Sequence, residues 1–322
     1  MDSWRRFAEQ TLVFHGIVGH RIAVPSANPG NYFQAITETE ACPAQTVEGL
    51  LFLQPGKSNQ PLVILVPGSL GVGENHLMHA ETLLGAGFAV FVLDPFGPRS
   101  VTSTVANQTA YSFAASAFDV LAAHQVLAQH PEVNPGKISW QGHSRGGSAV
   151  LTAATRCFID QVAGPEVSPA GVYAVYPWCG HQFSNPKVGR TKVRVIMGSL
   201  DEWCSPQQAQ GQMQAIAAAG GSASMRLVAG AHHSFDRSTA LENLADAAVA
   251  PSAPTVFLDE RGAMIDPMTG LTNREMTDLV AFRAANAEGF GRRGARIGGS
   301  PAFAELFVED MLRFHQSLDG AS

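Results

Sequence analysis

Lys137-Ile138-Ser139-Trp140-Gln141-Gly142-His143-Ser144-Arg145-Gly146-Gly147 carries an apolar run into a glycine-flanked serine and out into a run of small residues. Residues 137–141 read as a strand and residues 146–157 as a helix, so Ser144 falls in the turn between them. A Gly-x-Ser-x-Gly turn in that context is a nucleophile elbow, a sharp strand-to-helix bend that exposes the serine hydroxyl above a sheet. Gly142 and Gly146 suit the bend, because elements that approach so closely leave no room for a Cβ. The helix opening at the turn aims unpaired N–H groups and its positive dipole end at Ser144, which favours negative charge developing there.

Strand and helix alternate on both sides of this turn. Residues 62–66 form a continuous aliphatic run, as expected of a strand buried on both faces. Further strands are expected at 88–93, 171–176, 193–197 and 225–228, with helices at 74–86, 109–129 and 206–219 between them. Repetition of this unit implies an α/β fold, a mostly parallel sheet with helices on both faces and right-handed crossovers. The first sixty residues differ. Short apolar runs at 12–14, 22–25 and 46–53, separated by Gly, Pro and Asn, read as antiparallel edge strands. Beyond His233, residues 255–265 read as a hairpin about Asp259-Glu260-Arg261-Gly262, and 274–287 as a helix. Residues 292–299 read as a Gly/Arg-rich connector, and 302–318 as a last helix with Pro301 in its first turn. The whole chain, 1–322, is expected to be one domain, with 250–299 inserted near the active site.

A serine hydroxyl needs a base, and the base an orienting acid. In this fold both follow later strands, in the chain order Ser, acid, His. Asp201 ends Gly198-Ser199-Leu200-Asp201 after the strand at 193–197, and His233 follows the strand at 225–228. Glu202 and His232 are immediate neighbours; the shorter acid in the turn is preferred, and His233 over His232. The oxyanion hole is expected from the N–H of Arg145, next after the nucleophile, and that of Ser69 in Val66-Pro67-Gly68-Ser69-Leu70-Gly71. Phe96, Trp178 and Trp203 fall just after strand ends, where they either wall a substrate pocket or pack in the core. His76 and His79, one helical turn apart beside Glu74 and Glu81, read as an exposed polar helix face rather than a metal site.

Bulk properties narrow the class. Hydrophobic residues make up 45% and charged residues 15% of 322, enough for a large core. A net charge of −6 argues against nucleic acid or an anionic membrane as partner, since phosphate binding needs a basic face. No apolar run approaches the roughly 20 residues of a membrane span. Arg5-Arg6 is followed by Glu9 and Gln10 rather than an unbroken apolar segment, so a cytoplasmic location is expected. Cys42, Cys157, Cys179 and Cys204 show no Cys-x-x-Cys pairing and read as small buried hydrophobes. No metal or cofactor is expected. Oligomeric state stays open, a homodimer included.

Taken together, Val66–Gly71, Asp94-Pro95-Phe96-Gly97-Pro98-Arg99, Gly142–Gly147, Gly198–Asp201, His233-Ser234-Phe235-Asp236-Arg237 and Gly294-Ala295-Arg296-Ile297-Gly298-Gly299-Ser300-Pro301 resemble the dienelactone hydrolase family of α/β-hydrolases. The resemblance covers roughly residues 45 to 318. It implies a sheet without a large helical cap, an esterase or lactonase activity, and a substrate carboxylate held by Arg99 and Arg237, the positions that match the family's carboxylate-binding arginines. Arginine suits the task because its planar fork gives two parallel charge-assisted hydrogen bonds. Ordinary pairing of Arg99 with Asp94, and of Arg237 with Asp236 or another surface acid, is the alternative. Two departures are plain: the family's name-giving enzymes use cysteine where this chain has Ser144, and carry a glutamate where it has Pro67-Gly68. They direct the expectation to a serine carboxylesterase acting on a small-molecule ester. A prolyl-type peptidase, a lactonase and a non-catalytic binding protein are the competing readings.

Overall fold

The computed structural model describes residues 7–319, so Arg5-Arg6 lies outside the described residues. Val13–Phe14 and Ile17–Val18 form a two-stranded hairpin of their own, so the run at 12–14 is not an edge of the main sheet. The other strands, in chain order, are β1 (His20–Ala27), β2 (Ala44–Phe52), β3 (Gln60–Val66), β4 (Ala89–Asp94), β5 (Val133–His143), β6 (Gly171–Val175), β7 (His181–Phe183), β8 (Lys192–Gly198), β9 (Ser222–Val228), β10 (Glu242–Val249), β11 (Val256–Leu258), β12 (Met264–Ile265), β13 (Thr272–Asn273) and β14 (Arg292–Ile297). The helices are α1 (Tyr32–Thr37), α2 (Glu74–Gly85), α3 (Phe113–Ala128), α4 (Arg145–Ala153), α5 (Arg156–Val162), α6 (Pro206–Ala218), α7 (Asp278–Ala287) and α8 (Pro301–Asp319).

An eight-stranded sheet in the order β9-β8-β6-β5-β3-β4-β2-β1 is the frame. Six strands run parallel, from β9 to β4, and the pair β2 and β1 closes one edge antiparallel. This is the α/β-hydrolase architecture the alternating pattern implies. The parallel strands are aliphatic because both faces are covered: Leu62, Val63 and Ile64 on β3 and Val90, Phe91 and Val92 on β4 are wholly buried. No helix among the described residues is long and apolar enough to cross a membrane.

Three local departures have physical causes. The helix expected over 146–157 is two helices, because the Arg156 N–H bonds the Lys187 carbonyl at 2.7 Å and Thr155 takes an extended cap conformation. The helix expected from 109 begins at Phe113, where the Ser112 hydroxyl accepts the Ala115 N–H at 2.9 Å. The stretch 292–299 is not a bare connector: β14 pairs antiparallel with β10, a strand the sequence reading lacked. Gly294, at φ +85°, accommodates the left-handed kink between Arg293 and Ala295. β11, β12 and β13 join β7 in a separate four-stranded sheet, and α7 follows it.

Candidate active site

Ser144 stands between β5 and α4 with φ +54° and ψ −115°, a conformation that a non-glycine residue holds only under constraint. The constraint is visible around it. The Ser144 N–H bonds the Val175 carbonyl of β6 at 2.8 Å. A Cβ on Gly142 would meet the Gly146 carbonyl oxygen at 2.1 Å, and one on Gly146 the Val66 oxygen at 2.3 Å. Both glycines are therefore required by the close passage of strand, turn and helix. Gly68 packs so tightly here that its Cβ would lie 3.1 Å from Ser144 Cβ.

The loops after β8 and β9 bring the other two side chains in. His233 Nε2 lies 2.9 Å from Ser144 Oγ, and His233 Nδ1 lies 2.7 Å from Asp201 Oδ2. The second Asp201 oxygen accepts the N–H groups of Trp203 and Cys204 at 2.8 and 2.9 Å, which fixes the carboxylate's plane. Glu202 turns away to an ion pair with Arg296, whose guanidinium holds the carboxyl down to about 2. His232 is half-buried and does not join this chain of contacts. Strand β14 braces both loops: the Gly298 N–H bonds the His233 carbonyl at 3.0 Å, and the Arg296 carbonyl accepts Trp203 Nε1 at 2.9 Å. Trp203 in turn stacks on the His233 ring, centroids 5.2 Å apart and planes 13° from parallel.

Ser69 and Arg145 both border the space in front of Ser144. Arg145 is the first residue of α4, so its N–H is one of those without an intrahelical partner. Its side chain points elsewhere. The guanidinium bonds the Gln108 and Tyr111 carbonyls at 2.8 and 2.6 Å and the Ser116 hydroxyl at 3.1 Å, and it covers the Phe113 ring. Arg145 thereby ties the loop preceding α3 to the elbow.

The other expected binding residues divide. Trp178 and Trp203 line the space beside Ser144. Phe96 does not: it is 3% exposed and packs edge-on against Tyr111 and beneath Gly71, a core role. Arg99 does not reach substrate either. It is buried in a bidentate pair with Asp119, at 2.7 and 3.0 Å, with Asn28 and the Pro95 carbonyl taking further donors. Burial works against the guanidinium charge, but Asp119 outweighs it and holds Arg99 above its ordinary value. Asp94, its expected partner, instead accepts the backbone N–H groups of Phe96 and Gly97. Arg237 is half-buried, borders a small cleft with Ser144 and His233, and has a buried Nε that no acceptor reaches among the described residues.

Asp236, three residues past His233, anchors a network absent from the sequence reading. His76 and His79 are 3% and 0% exposed, not a polar face. His79 Nε2 and Asn75 Nδ2 each donate to Asp236 Oδ2 at 2.8 Å, and the Tyr176 hydroxyl donates to Oδ1 at 2.7 Å. Since a carboxylate only accepts, the remaining directions follow. Ser139 donates to His315, His315 to Gln141, Gln141 to His143, and His143 to Tyr176, each at 3.0 Å. Burial keeps His143 and His315 below the ordinary imidazole value, the latter at about 3, so both are neutral as this chain requires. Burial alone would push the Asp236 carboxyl up; His143, whose Nδ1 lies 3.5 Å from Oδ2, and the hydrogen-bonded His79 overcome it and hold it well below its usual range. His79, His143 and Asp236 are also the right types to ligate a metal, but the carboxylate oxygens are already taken by these donors. Local spacing carried no signal for the network, whose members come from α2, β5, the end of β6, the His233 loop and α8.

Cys204 also lies at the centre, its sulfur within 4.8 Å of the reactive atoms of Asp201 and His233. Burial, then the Asp201 charge, drives its thiol well above the ordinary value, so it is a neutral wall.

The dienelactone hydrolase family model matches residues 47–258. No curated protein sequence matches the chain. Among solved structures, the dienelactone hydrolase-like promiscuous phosphotriesterase P91 from metagenomic libraries is 14% identical, with TM-score 0.50 over 93% of this chain and 99% of that one. The esterase Est22 is 15% identical, with TM-score 0.50 over 69% of this chain and 75% of that one. Identity this low shows a common fold alone. The family match spans the elbow, the strands that flank it and the loops bearing Asp201 and His233, so the chain belongs to the dienelactone hydrolase family and is a carboxylic ester hydrolase.

Proposed function

We propose that the chain is a serine esterase that cleaves a small-molecule ester through an acyl-serine intermediate. The observation that carries this reading is the unbroken line from Ser144 Oγ to His233 Nε2, 2.9 Å, and from His233 Nδ1 to Asp201, 2.7 Å. In the proposed mechanism Ser144 Oγ attacks the ester carbonyl as its proton passes to His233 Nε2. Asp201 holds the imidazole in the tautomer that leaves Nε2 free to accept, and stabilises the cation formed. The N–H groups of Ser69 and Arg145 receive the oxyanion. Collapse expels the alcohol, which takes the proton from His233. Water then attacks the acyl-serine with the same imidazole as base, releasing the acid and restoring Ser144.

A fluorophosphonate should label Ser144 and abolish hydrolysis of p-nitrophenyl acetate. Ser144→Ala should lower kcat by about 10⁴ or more with the fold intact. Asp201→Asn should cost far more than Glu202→Gln, whose carboxylate serves Arg296. If Ser144→Ala keeps a tenth of the activity, the mechanism fails.

A further inference from the structure

Ser144 faces two spaces of very unequal size. One is a cavity of about 570 Å³, floored by Arg145, Trp178 and Cys204 and roofed by side chains drawn from residues 248–290. The other is a cleft of about 20 Å³, bordered by His76, His233, Ser234 and Arg237. Ser69, Ser144 and Trp203 border both, whereas His233 lines the cleft and not the cavity.

That asymmetry orients an ester, granted the serine mechanism above. The leaving oxygen collects its proton from His233, so the alcohol half must lie on the imidazole's side, toward the cleft. The acyl half is then left to the cavity. We infer that the preferred substrates are esters of bulky, uncharged hydrophobic acids with small alcohols, the acyl group being housed beneath residues 248–290.

The chemistry of the wall agrees. Phe113, Trp178, Val249, Met276, Phe282 and Phe290 supply its apolar surface. Its cationic side chain, Arg145, has its guanidinium committed to Gln108, Tyr111 and Ser116, and cannot also hold a carboxylate. Burial keeps His181 neutral, and Asp278, beside it, accepts the Phe113 N–H at 2.6 Å. Asp266 and Glu288 at the wall repel an anionic acyl group. The volume falls within the roughly 300–1,000 Å³ of pockets that enclose a drug-sized ligand, while the cleft has room for about one water molecule. An acetyl group would leave the cavity wet. Each further methylene buried there is expected to raise kcat/KM about fourfold until the space fills.

The test uses isomers that reverse the ester. Methyl octanoate and heptyl acetate have the same atoms, but only the first places its chain in the acyl half. Wild-type enzyme should hydrolyse methyl octanoate with kcat/KM at least tenfold above heptyl acetate and a hundredfold above methyl acetate. Ala285→Trp, which fills the cavity from the half-buried side of α7, should lower kcat/KM for methyl octanoate at least tenfold more than for methyl acetate. Faster turnover of heptyl acetate, or equal rates for methyl octanoate and methyl acetate, would overturn the assignment. So would an Ala285→Trp enzyme that slows both methyl esters alike. Fluorophosphonate labelling of Ser144 separates the two levels: labelling with the wrong ester preference sinks the acyl assignment alone, and no labelling sinks the serine mechanism with it.

Discussion

The two sides of Ser144 are built on opposite plans. Beneath it, polar groups are joined in series: a one-way chain of hydrogen bonds runs from Ser139 through His315, Gln141, His143 and Tyr176 to Asp236, all buried. The Tyr176 ring packs against His233 at 4.6 Å, so the chain also supports that imidazole. Above it, the roof over residues 248–290 is apolar within and half-exposed without. Leu279 and Val280 of α7 are 42% and 48% exposed. The chain from Ser139 to Asp236 has one arrangement that satisfies each of its donors, which suits a floor that must hold its neighbours to a few tenths of an ångström. The roof encloses volume without specifying it, which suits the choice of an acyl group. On the proposed mechanism, position and selectivity would thus fall to different materials.

The comparison breaks if the two sides respond alike to substitution. Asp236→Asn leaves the volume unchanged but removes the charge on which Asn75, His79 and Tyr176 converge. Its expected cost is about 3 kcal/mol of unfolding free energy. Phe282→Ala removes a larger group from a half-buried roof position and should cost less than about 1 kcal/mol. Urea denaturation of both variants decides, and equal losses would mean that the roof carries as much of the fold as the floor.

How each side reads in the sequence follows from the same difference. The sheet was legible because parallel strands buried on both faces must be aliphatic without interruption, as at Leu62–Val66, and because Gly142 and Gly146 mark a turn that nothing larger fits. That Ser144, Asp201 and His233 would meet was legible because each follows a strand in the order the fold demands. The Asp236 network was not, since its donors are separated by 60 to 161 positions and only folding brings them together. Asp236 itself looked like the partner of Arg237. Strands β10 and β14 were missed because Glu-Asn-Leu-Ala-Asp-Ala-Ala-Val and Arg-Arg-Gly-Ala-Arg-Ile are poor in the β-branched and aromatic residues that announce a strand. The Arg99 clamp failed for a related reason: position after β4 was readable, but Asp119, twenty residues on, was the partner that folding supplied.

The floor's protonation state gives a second, smaller distinction. His315 is buried and held at about 3, against about 6.5 in an unfolded chain. Between those values the unfolded state binds the extra proton, so stability rises with pH across the window. The neutral ring's contribution is complete above about pH 6.5 and is lost as pH falls below it. One such group gives a slope of about 1.4 kcal/mol per pH unit. His315→Gln should therefore flatten the stability profile between pH 4 and 6 by about that slope, whatever it costs at pH 8. His124, held at about 4 by burial, should do the same over the upper part of the window. A parallel profile for His315→Gln would mean that His315 titrates normally and that the donor directions along the floor are wrong.

The smallest effect falls where floor and roof meet, at Arg237. With Arg99 committed to Asp119, a substrate carboxylate can be met by one arginine, and Arg237 borders the cleft assigned to the alcohol half. Its buried Nε has no acceptor among the described residues, which leaves an unmet donor beside the proposed leaving group. We propose that a carboxylate on a small alcohol is recognised at the open mouth of this cleft, which is too small to enclose it. A charged hydrogen bond in a partly dry site contributes about 1.5–3 kcal/mol, and a single half-buried arginine belongs at the low end, about tenfold in kcat/KM. O-octanoyl glycolate and its methyl ester share the octanoyl ester and differ in that charge and one methyl group, so release of octanoate is the readout. Wild type should favour the free acid about tenfold. Arg237→Gln should lose the preference while changing the neutral ester less than about twofold. Arg99→Gln should slow both esters together, because it leaves the Asp119 carboxylate buried without its partner. A wild-type preference for the neutral ester, or equal slowing of both by Arg237→Gln, would leave Arg237 as counter-charge to Asp236 and remove the carboxylate from the substrate.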